Sequence, residues 1–502
     1  MRHGARKFFV LMLKPAGAGR RISTAISPGF FSALPSALIA ATLLFSPQPA
    51  LAQFFSQQGP KLVGTNVVGA TAEQGFSVAV SADGNTAIVG AFQDNSSVGA
   101  AWVYTRTGGV WSQQGKLVAN DAIGSAAQGI SVGLSADGNT AIVGGPGDNS
   151  GAGAAWIYVR SGGTWTQQGA KLVGTGAAGN ARQGAVALSA DGNTAIVGGA
   201  NEAPGAAWIY IRNGSMWTQQ GDKLVGTNVV GATAQQGAAV ALSGDGNTAL
   251  VGGRADNSNV GAAWVYTRTG GGWSQQGKLV ANDAIAPAFQ GYSVSLSADG
   301  NTAAVGGPFD NTDVGAGWIY VRSAGMWTQQ GKLIGGGAVG QSLQGNSMSL
   351  SAAGNMVFMG GPNDNSSIGA AWIFTSNGGV WSQQGGKLVG SGAMGAAGQG
   401  VSVALSADGK TGIVGGLFDN SSVGAAWVYA QPSLVVSPTT DISASGTQGE
   451  GFSPASFQYQ SGFHQRQPQL YDLRHSACAL AQRILPLRHG HHIPGHCDLL
   501  FD

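Results

Sequence analysis

"WSQQGKLVANDAIGSAAQGISVGLSADGNTAIVGGPGDNSGAGAAWIYVR", Trp111 to Arg160, decides the fold, because its landmarks recur along the whole body of the chain. The tryptophan of its "GAAW" returns as Trp102, Trp156, Trp208, Trp264, Trp318, Trp372 and Trp427, at intervals of 52 to 56 residues. Seven copies of one unit at a period of ~50 residues define a repeat architecture. A longer echo lies over the short one: "KLVGTNVVGATA" at Lys61 returns at Lys223, and "KLVANDAI" at Lys116 returns at Lys278, both 162 residues later. Three units were duplicated together.

Each unit divides into four strand-like runs, which in this stretch are "SVGLSA", "TAIVGG", "AAWIYVR" and "WSQQGKLV". They are rich in β-branched and aromatic residues and are separated by Gly, Asp and Asn, the signature of strands joined by turns. Asp-Gly-Asn at Asp83, Asp137, Asp191, Asp245 and Asp299 marks a hairpin where positive φ is needed and Gly or Asn tolerates it cheaply. In the third run Trp102, Tyr104 and Arg106 point one way and Ala101, Val103 and Thr105 the other, so both faces are apolar. Such a sheet belongs in a stack of similar sheets, a propeller or a solenoid. The chain ends favour the propeller. An unpaired fourth run begins at Phe54 and the last unit stops after its third, so the two remainders make one sheet and leave no stack end to be capped. The expected fold is all-β: a seven-bladed β-propeller of four-stranded blades over 53–431, its ring closed by the N-terminal strand.

"QGISVGLSADGNTAIVGGPGDN" and "GAAWIYVRSGGTWTQQGAKLVG" resemble the FG-GAP repeats of bacterial secreted proteins, which are related to the propeller of integrin α chains. The resemblance runs from Phe54 to about Gln431. It implies a seven-bladed propeller with runs such as "SVALSA" nearest the axis. Integrin blades bind calcium in loops that alternate oxygen ligands, Asp-x-Asp/Asn-x-Asp-Gly-x-x-Asp. "SADGNTAIVG" has one carboxylate before its glycine and hydrophobic residues where later ligands belong, so the calcium site is not carried over.

Other candidates for chemistry have structural readings. The Asp-Asn pairs at Asp94, Asp148, Asp256, Asp310, Asp364 and Asp419, replaced by "NEAPG" in the third unit, read as loop turns whose side chains bond their own backbone. Thirteen tryptophans invite stacking on sugars, but their fixed place in every unit reads as core between blades. The amides of "QQG" are expected to pair at outer edges. Residues 53–460 contain no histidine and no cysteine, which removes the commonest general base and the thiol nucleophile. No Asp or Glu is read as breaking the repeat in a way that marks a unique site, and near-identical blades offer no preferred face. No catalytic, cofactor-binding or metal residue is assigned, and no enzyme activity is expected.

The termini differ from the body. Residues 1–52 carry six basic residues and no acid, followed by "ALIAATLLF" and "ALA", which reads as a signal peptide cleaved before Gln53. Arg20-Arg21 is a weak match to a twin-arginine signal, and the apolar run is shorter than the ~20 residues that span a membrane. Residues 53–460 carry 15 basic and 20 acidic residues, so no basic face for nucleic acid is expected. Residues 432–460 resemble the first strands of a bacterial immunoglobulin-like (BACON-type) domain. From 461 to 502 the composition changes abruptly, with six of the seven histidines and both cysteines. "RHGHHIPGHC", Arg488 to Cys497, has ligand types suited to zinc or copper. Back-translated and read one base later, Arg488 to Asp502 yields strand-like "GTATTSPVTVTFSL", so 461–502 reads as a frameshifted tail.

Taken together, the chain is expected to be secreted, periplasmic or cell-surface. It reads as a non-catalytic binding or adhesion propeller, the head of a longer multidomain protein, whose partner is an extracellular protein or glycan. The alternatives are a structural spacer or degenerate truncated product, and a polysaccharide-acting enzyme.

Overall fold

A computed structural model describes residues 55–285 and 287–432. The expected signal peptide, the tail at 461–502 and, apart from Pro432, the expected immunoglobulin-like start lie outside the described residues. The first repeat forms β2 (Ser77–Val80), β3 (Thr86–Ala91), β4 (Ala100–Thr107) and β5 (Val110–Leu117), joined in sequence order as an antiparallel sheet. Seven such four-stranded sheets are present, and the fold is an all-β, seven-bladed propeller. The seventh sheet consists of Ser402–Leu405, Thr411–Gly416, Ala425–Ala430 and β1 (Ser56–Gln57), which pairs Ser56 with Ala430 and Gln57 with Tyr429.

The first strand of each blade touches the first strands of both neighbours, so the "SVALSA" runs do lie innermost. Seven core clusters are shared between successive blades. The one holding Trp102 also contains Ala404, Ile413, Ala426 and Val428 of the seventh blade. The seven "GAAW" and "GAGW" tryptophans are fully buried in these clusters, as their fixed spacing predicts. The glycine pair ending the second strand follows from the same stacking. A Cβ on Gly90 would stand 2.1 Å from the carbonyl oxygen of Gly129 in the next blade, so only hydrogen fits there.

The 162-residue echo is visible in the packing. Trp156 and Trp318 donate their indole N–H to Asp121 and Asp283, 2.7 and 2.8 Å away, whereas Trp102 and Trp264 donate to the carbonyls of Thr65 and Thr227. Copies three blades apart share their cap.

The remaining six tryptophans correct the uniform core reading. Trp111, Trp165, Trp217, Trp273, Trp327 and Trp381 are half-buried on outer strands. Each donates its Nε1–H to the second glutamine of "QQ" in the preceding blade, as Trp165 does to Gln114 at 2.9 Å. Arginines stack on four of them, for example Arg160 on Trp165 at 5.4 Å. The "QQ" amides therefore tie one blade to the next: the first glutamine, as Gln113, accepts from the backbone N–H of Thr65.

Candidate functional site

Antiparallel order puts the hairpins β2–β3 and β4–β5 at one end of the blades. The β3–β4 loop and the connector from each outer strand to the next blade lie at the other. We call these the hairpin face and the connector face.

On the hairpin face every blade solves the same problem in nearly the same way. Gly84 takes φ +69° in the Asp83-Gly84-Asn85 turn. Asp83 accepts from the Ser81 hydroxyl and from both the backbone and side-chain N–H groups of Asn85, while Ser81 Oγ accepts from the Thr86 N–H at 2.9 Å. Burial alone would raise the Asp83 carboxyl, but these hydrogen bonds outweigh it and hold it below the usual carboxylate range. Both oxygens are thus engaged within the turn. Between turns runs a circle of backbone bonds: Ala82 N–H to Ala136, Ala136 to Ala190, Ala190 to Gly244, Gly244 to Ala298, Ala298 to Ala352, Ala352 to Ala407, and Ala407 back to Ala82 at 3.1 Å.

The connector face is built differently. After the second strand, Asp94-Asn95-Ser96-Ser97 forms a left-handed turn, with Asn95 at φ 51°, ψ 57° and Ser96 at φ 53°, ψ 46°. Non-glycine residues pay roughly 1–2 kcal/mol each for that conformation. What holds it is the aspartate, which is 1 % exposed rather than a solvent turn bonding its own backbone. Asp94 Oδ1 accepts from the N–H of Val68 at 2.8 Å, the Val68 carbonyl accepts from Asn95 at 2.8 Å, and Lys116 reaches Oδ2 at 2.6 Å. The same clamp recurs at Asp148, Asp256, Asp310, Asp364 and Asp419, each paired with the lysine of a "KLV" or, at Lys332, a "KLI". In the third blade "NEAPG" takes its place, and Glu202 receives Lys223. Sequence reasoning placed these aspartates in loops but missed their partners, which lie 22 to 26 residues away or, for Lys61 and Asp419, 358 apart.

One position on this face departs from the repeat. The residue before the Gln-Gly that opens each inner strand is Glu73, Ala127, Arg182, Gln235, Phe289, Leu343 or Gly398, while the Gln and Gly after it are the same in all seven blades. All seven adopt positive φ, between 54° and 64°. Glycine would be cheapest there, yet only the seventh blade uses it. Three residues further on stand Phe76, Ile130, Ala185, Ala238, Tyr292, Asn346 and Val401, again all different in kind from the frame around them. These variable residues meet one another and the start of the β3–β4 loops: Phe76 lies 4.7 Å from Phe92, Phe289 4.7 Å from Phe309, and Arg254 5.1 Å over Tyr292. Burial raises the carboxyl of Glu73. The repeat therefore has one face that differs from the other, contrary to the expectation from sequence, and Glu73 is one of the residues that vary on it. The signal was present in the residue before each Gln-Gly.

Among the described residues, no group of three or more His, Cys, Asp or Glu side chains could hold a metal ion. No described helix is long and apolar enough to cross a membrane.

Fold and faces define a symmetric, repeat-built β-propeller with a conserved frame and one differentiated end. The family model described as FG-GAP repeat matches residues 111–158 and 273–321, and the chain is a β-propeller carrying FG-GAP repeats. No curated protein matches the sequence. Among solved structures the chain is similar to a putative 6-phosphogluconolactonase from Bacteroides uniformis, at 13% identity and a TM-score of 0.47 over 65% of this chain and 88% of that one. A likeness of that size carries no functional argument.

Proposed function

We propose that the propeller is a non-catalytic binding head, exported to the cell surface or its surroundings, whose connector face receives an extracellular ligand. The observation that carries this reading is the set of blade-specific side chains held at positive φ around the inner strands. A frame that needed only to stack would place glycine there seven times, as it does at the following Gly. Strain retained under Glu, Arg, Gln, Phe and Leu is explained by what those side chains do. A binding role also fits the charge pattern, since the aspartates of the Asp-Asn turns are engaged by lysines and are not left as free acids or bases.

The test is a glycan array and a cell-binding screen with the purified full-length chain. Saturable binding abolished by simultaneous change of Arg182, Phe289 and Leu343 to glycine supports the reading. Binding that survives the triple change moves the site elsewhere, and no binding at all favours a structural spacer.

A further inference from the structure

We propose that the connector face carries, between the fourth and fifth blades, a site for a carboxylated saccharide, with Arg254 as the carboxylate receptor and Phe289 and Phe309 as the stacking surface. The inference deepens the binding reading and rests on it.

Arg254 is held differently from three arginines near the ends of the third strands. Arg106, Arg160 and Arg322 each engage Nε, Nη1 and Nη2 with acceptors in their own or a neighbouring blade. Arg254 donates only Nε–H, to Gln235 Oε1 at 2.9 Å, and its guanidinium lies 5.1 Å over the ring of Tyr292. No carboxylate pairs with it among the described residues, and the nearby Asp256 is taken by Lys278 at 2.6 Å. The plane of the guanidinium is thus fixed from below by a ring and from one side by an amide, while neither Nη group has an acceptor among the described residues. A fork held in that way is prepared for two parallel bonds to one carboxylate.

Beside it, Phe289 and Phe309 stand with ring centroids 4.7 Å apart, and Tyr292 lies 6.3 Å from Phe309. All three are half-buried, so each still presents apolar ring to solvent. Phe289 holds φ at 56° where glycine would be unstrained. The C–H face of a pyranose packs against such rings, and a carboxyl group on that sugar then meets Arg254. None of this is a property of the repeat: the positions of Arg254, Phe289 and Tyr292 in the second blade are Pro146, Ala127 and Ile130. Gln235, Arg254, Phe289 and Tyr292, which match no other blade, converge from two neighbouring ones with Phe309, whose counterpart in the seventh blade is Phe418, and every one of the five is of a type that binds sugars or acids.

The experiment measures binding of the full-length chain to uronic-acid and sialic-acid oligosaccharides, to their carboxyl methyl esters and to hexaglutamate. The carboxylated glycans should bind and the esters should bind at least about tenfold more weakly, the scale of one charge-assisted hydrogen-bonded contact. Arg254→Gln should reproduce that loss with unchanged thermal unfolding, Arg254→Lys should restore part of it, and Phe309→Ala should weaken acid and ester alike. Arg212→Gln, the same charge change on the outer rim, should have no effect. Equal binding of acid and ester, indifference to Arg254→Gln, or hexaglutamate binding as tightly as the glycans overturns the proposal. If the chain binds only neutral glycans or cells, this site is overturned while the binding head stands; if it binds nothing, both fall.

Discussion

The two ends of the propeller are made from the same seven repeats and differ in what they leave unspent. On the hairpin face, Ser, Asp, Asn and Thr saturate one another in five of the seven turns, and a backbone circle links all seven. On the connector face the backbone is forced into left-handed turns, buried carboxylates hold it there, and blade-specific side chains stand beside the strain. Repetition therefore fixes a scaffold at one end and leaves positions free to vary at the other. The same physics operates at both ends, since the buried aspartates and turn hydroxyls are stabilised by partners; for the aspartates of the connector face the partner comes from farther along the chain.

The contrast can be broken most severely at the clamp. Asp148→Ala leaves Lys171 and the N–H of Ile123 without their acceptor and releases a strained turn, and should cost about 3–5 kcal/mol in urea unfolding. A cost under about 1 kcal/mol would mean that the turn holds itself. On the opposite face Ser135→Ala removes one hydroxyl that both donates to Asp137 and accepts from Thr140, and should cost about 1–2 kcal/mol. Equal losses at the two sites would erase the distinction between strained and relaxed ends.

Ala127→Gly tests the strain itself. Ala127 holds φ at 56° with no bulk to lose, so the glycine should stabilise the fold by up to about 1 kcal/mol, read as a raised unfolding midpoint. Destabilisation would show that the left-handed residues of the inner ring are not strained.

The smallest effect is expected in the shared core. The hydroxyls of Tyr104, Tyr158, Tyr210, Tyr266, Tyr320 and Tyr429 are buried without a partner, and the sixth blade carries Phe374 in their place at the same 3 % exposure as Tyr158. Tyr158→Phe should be neutral within about 0.5 kcal/mol or slightly stabilising. Burial also pushes these phenols well above their ordinary value. Their contribution is present below the unfolded tyrosine value of about 10 and is lost as pH rises beyond it, because only the unfolded chain ionises freely. Alkaline unfolding should accordingly coincide with the rise in tyrosinate absorbance; early titration of all the tyrosines in a folded ring would contradict their burial.

Much of this was legible in the chain alone. The spacing of the tryptophans gave seven units, the Asp-Gly-Asn turns gave the hairpins, and alternation in "AAWVYTR" placed apolar side chains on both faces of the sheet. These are local or periodic signals, and a repeat amplifies each of them seven times. The Asp-Asn pairs were misread because a turn bonding its own backbone and a buried carboxylate bonded across a loop have the same local sequence. The substitution of Glu202 for aspartate in the third blade, with Lys223 kept opposite, could have exposed the pairing, since a longer acid replacing a shorter one signals a retained charge. The outer tryptophans were misplaced because periodicity assigns a residue to a strand but not to a depth in the blade.

Sequence by itself determined the repeat, the strands, the hairpin turns and the tryptophan cores, because each depends on residues within one unit or on their regular return. Only the tertiary structure decided which carboxylate meets which lysine, which tryptophans stay at the rim, and that Arg254, Phe289, Tyr292 and Phe309 stand together. Those are relations between blades, and their partners are chosen by the stacking of sheets around an axis that no stretch of sequence contains.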